Sequence, residues 1–273
     1  MGDIVMSFIT SVLNAIFGTG TLNAGKDAII TYAFNGDILG GFTDVNAFIL
    51  PVASVLVCIY FVIELMDKLT HENFSTDQFI VLMIKLVFSI LIVENAAEIA
   101  SYIMSFGEVF TSGIATSSAA DIQASTVEKF GFFEAIVAFV LMIIPFLFSL
   151  IIQLIMYFFV FGYALEVNVR SIMAPIGFAD LISGGSNSNG MRYLKKLLAL
   201  SIQGGLMILI LGVGSAFCIL VVDGGANVND FHAILDLIIP GYGAIKTIQA
   251  LGIQLATVGL LGSAKTIAND LIG

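Results

Sequence analysis

An uncharged apolar run from Ala135 to Leu165 constrains this chain more than any other feature of its sequence. As an α-helix rising about 1.5 Å per residue, the run would be roughly 45 Å long. The hydrocarbon core of a bilayer is about 30 Å thick, so such a helix must tilt, bend at Pro145 or project beyond the membrane. A run of this length without a charged residue predicts a membrane-spanning helix.

Four further apolar runs have the length of a membrane span. Only 11% of the 273 residues are charged, against about 25% in soluble domains, so a water-soluble fold would lack polar surface to cover its core. The sequence therefore predicts an all-α, polytopic membrane helix bundle that forms a single transmembrane domain over residues 45–273. Its five predicted spans cover residues 45–65, 78–98, 135–165, 197–222 and 247–264. Because Lys246, Gln249 and Gln254 interrupt the fifth run, that segment either crosses the membrane or only dips into it.

Residues 1–44 are predicted to form a separate N-terminal region. Over residues 4–17, apolar side chains fall on one helical face and Ser, Thr and Asn on the other. This amphipathic helix is too short to span, so we expect it at the membrane interface or on a partner. Residues 18–44 are rich in Gly, Asn and Thr and are predicted to be an outer loop. Residues 111–127 are small and polar and are also predicted to be a loop.

Basic residues are unevenly distributed between the predicted loops. The loop between the third and fourth spans holds four of the ten basic residues of the chain: Arg170, Arg192, Lys195 and Lys196. By the positive-inside rule this loop faces the cytoplasm, which places the N-terminus outside and the C-terminus in the cytoplasm. The basic residues of this loop either only fix the topology of the chain or also contact a partner. The net charge of −10 argues against general adhesion to nucleic acid.

The same loop contains an apolar segment, "SIMAPIGFADLI", that is too short to span the membrane. Pro175 and Gly177 interrupt it, and irregular backbone at membrane depth is tolerated only where protein or a wet cavity covers it. We therefore expect a short re-entrant or interfacial segment near residues 171–183, packed against the third span. Pro175, Gly177 and Asp180 form its predicted hinge, and Gly184-Gly185 would return the chain to the cytoplasm.

Two ionisable residues lie within the first two spans. Glu64 is near the predicted cytoplasmic end of the first, and Lys85 is seven residues into the second. An ion pair between them would lower the free-energy cost of burying either charge. Alternatively, Lys85 snorkels to the interface, or the two residues belong to a conduction path.

No catalytic constellation is present in the sequence. The two histidines, His71 and His232, lie in loops on opposite predicted sides of the membrane, and no zinc spacing, phosphate loop or nucleophile elbow is found. We predict that the protein is not an enzyme and has no cofactor, metal or catalytic residue. A membrane-embedded enzyme built from single residues on separate helices is the alternative.

The stretch "RSIMAPIGFADLISGG…NGMRYLKKLLALSIQGG", residues Arg170 to Gly204, follows a long apolar helix. It resembles the TrbL/VirB-type polytopic inner-membrane subunit of type IV secretion and conjugation machines, in the version found on mobile elements of Gram-positive bacteria. The resemblance implies a non-enzymatic channel or scaffold component that oligomerises at the base of the translocation channel. Its implied partners are other channel subunits, separate ATPases, the transferred DNA–protein substrate and the lipid bilayer.

Under this hypothesis the basic residues of the loop have a specific role. In a homo-oligomer, Arg170, Arg192, Lys195 and Lys196 would form a cytoplasmic ring of positive charge that meets an acidic ATPase or the phosphate backbone of DNA. The alternative function is a small-solute transporter or ion channel, for which the broken segments at Pro175 and at Pro240-Gly241 are suggestive. The sequence shows no internal repeat of the kind that many transporters have.

Overall fold

A computed structural model describes residues 20–34, 43–71, 75–117, 132–182, 188–223 and 244–272. Within these ranges the regular structure is helical throughout, which confirms the predicted all-α class. The described helices, in chain order, are α1 (Gly20–Ala33), α2 (Thr43–His71), α3 (Thr76–Glu94), α4 (Ala96–Ser117), α5 (Phe132–Ile172), α6 (Ala174–Phe178), α7 (Asn189–Asp223) and α8 (Ala244–Ile272).

Five of the described helices are long and apolar enough to cross a membrane, as expected of a multi-pass membrane protein. Their apolar parts are Ala47–Thr70, Thr76–Glu94, Ile143–Ile172, Asn189–Cys218 and Ile248–Ile272. The number and order of the predicted spans are confirmed. The first, third and fifth continue past their predicted ends and the fourth begins before its predicted start, because a helix can continue past the hydrocarbon core, where charged residues meet polar surroundings.

The structure corrects three predicted boundaries. Helix α1 lies in the region predicted to be an outer loop, and α4 continues to Ser117, through the first residues of the loop predicted over 111–127. The second span ends at Glu94, and Asn95 separates it from α4. Tertiary packing explains α1, because the side chains of Leu22 and Ile29 are buried and Gly25 lies in close contact with the Met156 side chain.

Several predicted features lie outside the described residues. They are the amphipathic helix over residues 4–17, the Gly184-Gly185 turn and the Pro240-Gly241 break.

The chain is organised as two compact units, each assembled from segments that are distant in sequence. The first comprises Met1–Ile30, Thr111–Gly162 and Gly205–Ala264, and the second comprises Thr31–Phe110, Tyr163–Gly204 and Lys265–Gly273. In the first unit, Gly214 of α7 lies so close to Thr257 of α8 that a Cβ would overlap its side chain. Every site residue predicted from the sequence lies in the second unit.

Helices α2 and α3 form an antiparallel hairpin in the second unit. Ser75 begins α3 with a capping box: its Oγ accepts from the Gln78 N–H at 3.3 Å, and its own N–H donates to the Gln78 Oε1 at 3.2 Å. Only 17% of the apolar part of each hairpin helix is buried, against 61% for α7. The hairpin therefore presents most of its apolar surface outward, as lipid-facing helices do.

Candidate functional site

The break predicted between the third and fourth spans is present. Helix α5 ends at Ile172, and the five-residue helix α6 follows with Pro175 in its first turn, where the missing N–H is tolerated. The segment packs on the hairpin, with Ala179 in a buried cluster with Ala53 and Val57 of α2 and Val93 of α3. We expected it to pack against the third span. The small side chains of Ala53 and Ala179 explain the observed contact, because they let the backbones approach closely.

Tyr193 of α7 packs against another side of the short helix α6. A Cβ at Gly177 would overlap the Tyr193 ring, and the Phe178 ring packs edge-on against it with centroids 5.7 Å apart. The Tyr193 hydroxyl donates a hydrogen bond to the main-chain carbonyl of Arg170. One side chain thus joins the end of α5, the short helix α6 and the second turn of α7.

Asp180 and Ser188 satisfy the free N–H groups at the start of α7. The Asn189 N–H donates to the Asp180 Oδ2 at 3.1 Å, and the Met191 N–H donates to the Ser188 Oγ at 3.0 Å. A Cβ at Gly190 would lie 2.5 Å from the Leu181 nitrogen, so glycine is required there. Of the predicted hinge residues, Pro175 and Gly177 shape the break, whereas Asp180 caps the next helix.

The four predicted basic residues converge on one pocket of about 390 Å³, which we call the basic pocket. Arg170 comes from the end of α5, and Arg192, Lys195 and Lys196 come from the first two turns of α7. Lys265 of α8 completes the set, so this pocket is lined by five of the ten basic residues of the chain. With Glu166 as the carboxylate among the lining residues, the lining carries a net charge of +4.

Glu166 holds two of these cations in place. Its Oε1 accepts from the Arg170 Nε at 3.0 Å, and an Arg170 guanidinium Nη lies 2.8 Å from the same oxygen. Lys265 Nζ lies 2.7 Å from Oε1 and 2.8 Å from Oε2. The carboxylate therefore ties α5 to α8, while Arg192, Lys195 and Lys196 are exposed at the rim.

The wall that α7 contributes is set by a close approach of α5 and α7. The Tyr163 hydroxyl donates to the Leu200 carbonyl at 3.1 Å, and a Cβ at Gly204 would lie 2.6 Å from that hydroxyl. Ala199, Leu200 and Gln203 line the pocket beside this contact. Only a residue without a side chain at position 204 permits the spacing.

Glu64 and Lys85 form a second charged site, on the hairpin. Lys85 Nζ donates to the Glu64 Oε1 at 2.5 Å, so the structure brings together the two residues that the sequence paired. The Glu64 side chain is 17% exposed and the Lys85 side chain is 35% exposed. Each charge thus has a neutralising partner on the neighbouring helix.

Sequence reasoning missed Glu166 and did not assign Lys265 to the site. These residues are 99 positions apart, so nothing local in the sequence links them. The spacing of Glu166 and Arg170, four residues apart on one helix, is a signal that could have identified half of the network. Among the described side chains, no group of three or more His, Cys, Asp or Glu residues is placed to hold a metal ion.

Comparison of the chain with protein-family models, with curated proteins and with solved structures finds no match in any of the three.

Proposed function

We propose that this protein is a non-enzymatic membrane component of a type IV secretion, or conjugation, machine. It would act as part of the channel or scaffold that passes a DNA–protein substrate across the cytoplasmic membrane. The observation that supports this proposal most directly is the convergence of Arg170, Arg192, Lys195 and Lys196 on one pocket. Fixing topology requires only that basic residues lie on one side of the membrane, and does not require them to converge.

In this proposal the basic pocket faces the cytoplasm, with the N-terminus of the chain outside and the C-terminus in the cytoplasm. The exposed rim formed by Arg192, Lys195 and Lys196 meets an acidic surface of a partner ATPase or the phosphate backbone of incoming DNA. The outward-facing apolar surface of α2 and α3 suits contacts between copies of the chain. In a homo-oligomer, the basic rims of the individual copies would then be arranged around a common axis.

DNA transfer from donor to recipient cells tests this proposal. A donor lacking the chain is complemented with wild-type protein, with the triple variant R192A/K195A/K196A, or with K68A. Because rim charges speed association with an anionic partner, we expect the triple variant to reduce transfer by about tenfold or more. Lys68 lies outside the basic pocket, so K68A should leave transfer unchanged.

Two controls separate recognition from topology. Protein level and labelling by a membrane-impermeant reagent must be the same for the triple variant and the wild type. If the variant inverts or is degraded, the rim residues only orient the chain. If deleting the chain leaves DNA transfer intact, and the purified protein alone moves a small solute into liposomes, the transporter alternative replaces the proposal.

A further inference from the structure

The basic pocket lies near the ends of three helices that exceed the thickness of the hydrocarbon core. The apolar parts of α5, α7 and α8 have 30, 30 and 25 residues, or roughly 45, 45 and 38 Å. The core is about 30 Å thick, and the headgroup layers add about 5 to 7 Å on each side. Arg170 and Lys265 lie two and seven residues before the ends of their helices, and the rim cations lie three to seven residues after the start of α7. Helices of this length would place these residues at the depth of the headgroup phosphates of a bilayer.

The lining chemistry defines the anion that would fit. Two arginines offer planar forks of N–H donors that match phosphate oxygens, and three lysines add point charges. The net charge of +4 repels any ligand that carries its own cation. A cationic headgroup nitrogen, such as the quaternary ammonium of phosphatidylcholine, is a few ångströms from its phosphate and would be repelled by the positive lining. An anionic headgroup without a cationic nitrogen would not be repelled.

Apolar surface beside the pocket favours a lipid over a free anion. Leu165 and Val169 of α5 flank Glu166 and Arg170 on the adjacent stripe of the helix, and both are more than half exposed. Leu271 of α8 is 64% exposed next to the pocket residue Ile272. An acyl chain that leaves the pocket along these residues would cover apolar surface.

We propose that the basic pocket binds the phosphate group of an anionic membrane phospholipid that lacks a cationic headgroup nitrogen. This inference goes beyond the proposed function and does not depend on it. In the absence of lipid, Glu166 is the carboxylate that neutralises Arg170 and Lys265. Glu166 therefore competes with the phosphate for the same two cations.

The proposal predicts opposite effects of two substitutions. K196Q removes a rim cation and should weaken binding of phosphatidylglycerol about fivefold, the effect of one basic residue near anionic lipid. E166Q removes the competing carboxylate and raises the lining charge from +4 to +5, so binding should become about fivefold tighter. K68Q, which removes a cation outside the pocket, is the matched control and should bind as the wild type does.

Native mass spectrometry of the purified full chain in detergent provides the measurement. Phosphatidylglycerol and phosphatidylcholine are titrated separately, and bound lipid is counted for wild type, K196Q, E166Q and K68Q. The expected result is selective retention of phosphatidylglycerol, weakened in K196Q and strengthened in E166Q. Equal retention of the two lipids, or equal losses in K196Q and K68Q, would overturn the proposal.

A third arm separates a lipid from a soluble phosphate. Inorganic phosphate is titrated into the detergent-solubilised protein in place of lipid, with calorimetry as the readout. Millimolar binding that is lost in K196Q, together with no preference for phosphatidylglycerol, would show that the pocket takes a soluble anion and would refute the lipid assignment. These assays contain no DNA and no partner, so they test the lipid proposal separately from the proposed function. If the protein selects phosphatidylglycerol but is not needed for DNA transfer, only the proposed function is contradicted. If it is needed for DNA transfer but does not select phosphatidylglycerol, only the lipid proposal is contradicted.

Discussion

The hairpin site and the basic pocket lie in the same unit but differ in the balance between their positive and negative charges. On the hairpin, one carboxylate faces one ammonium, and the Glu64–Lys85 pair is neutral. In the pocket, one carboxylate faces five cations, and Glu166 reaches Arg170 and Lys265 with hydrogen bonds of 2.7–3.0 Å. The hairpin pair is neutral, whereas the residues that line the basic pocket carry a formal net charge of +4.

Burial of charge explains the hairpin pair, and the basic pocket is the site at which we propose that an anion binds. A charged residue within a membrane span is tolerated when it is paired, so the hairpin pair lets two apolar helices carry two polar side chains. The lining of the basic pocket has a formal net charge of +4. An anion bound there would reduce the repulsion between these cations.

The largest expected effect comes from G190A, which damages the pocket and leaves the hairpin pair untouched. A Cβ at this position would lie 2.5 Å from the Leu181 nitrogen and 2.6 Å from its Cα, so the main chain must move. Overpacking of this kind destabilises by about 3 kcal/mol. The thermal unfolding midpoint of the purified protein in detergent measures it.

Gly162 provides the matched control for that prediction. It is also in a helix, but a Cβ there would meet nothing within 4 Å. G162A should leave the midpoint unchanged or raise it slightly, because alanine favours helix more than glycine does. Equal midpoints for G190A and wild type would show that the start of α7 tolerates displacement.

A smaller effect is expected from breaking the hairpin pair with E64Q, which leaves Lys85 opposite an amide. Loss of one partner of a buried pair is destabilising because the other charge stays desolvated. Since Lys85 is about one-third exposed, we expect about 2 kcal/mol and not the full effect of a buried pair. K85Q alone should behave similarly, and the double variant E64Q/K85Q should lose less stability than the two single changes added together.

The hairpin variants also sharpen the contrast with the pocket. Phosphatidylglycerol should stabilise E64Q no more than it stabilises the wild type, because the hairpin pair lies outside the basic pocket. Additive losses in the double variant would show that Glu64 and Lys85 act independently and that the hairpin site is not a balanced pair.

The smallest effect is expected from Y193F, which keeps the ring and removes the hydroxyl. The ring would still pack against Gly177 and Phe178, and only the hydrogen bond to the Arg170 carbonyl would be lost. We expect a loss of about 1 kcal/mol in unfolding free energy. Amide hydrogen exchange near Ile172 and Met173 should rise, and unchanged exchange there would contradict the bridging role of this hydroxyl.

Much of the fold could be predicted from the sequence because lipid imposes a simple rule on it. Backbone groups in a bilayer must be satisfied within the segment, so long apolar runs become helices and the number of spans follows from hydropathy. The break at Pro175 could also be predicted, since an apolar segment of that length cannot cross. Helix α1 could not, because Gly, Asn and Thr in this region lower its helix propensity, and the burial of Leu22 and Ile29 that favours the helix is a property of tertiary packing.

The candidate site was predictable only in part for a related reason. Arg192, Lys195 and Lys196 lie on one helical face, and Arg170 follows from the charge count of one loop. Lys265 depends on where a distant helix packs, which neither periodicity nor charge distribution reveals. The position of α6 on the hairpin likewise depends on the packing of Ala179 against Ala53, which is a property of the three-dimensional structure.

The position of α6 against α2 and α3 also has a mechanical consequence. Ala179 is seated beside Val57 and Val93, and Tyr193 clamps the same segment from α7. Close-packed contacts transmit a displacement instead of absorbing it. A sideways shift of α2 and α3 would therefore also displace the end of α5 that bears Arg170 and the start of α7 that bears Arg192.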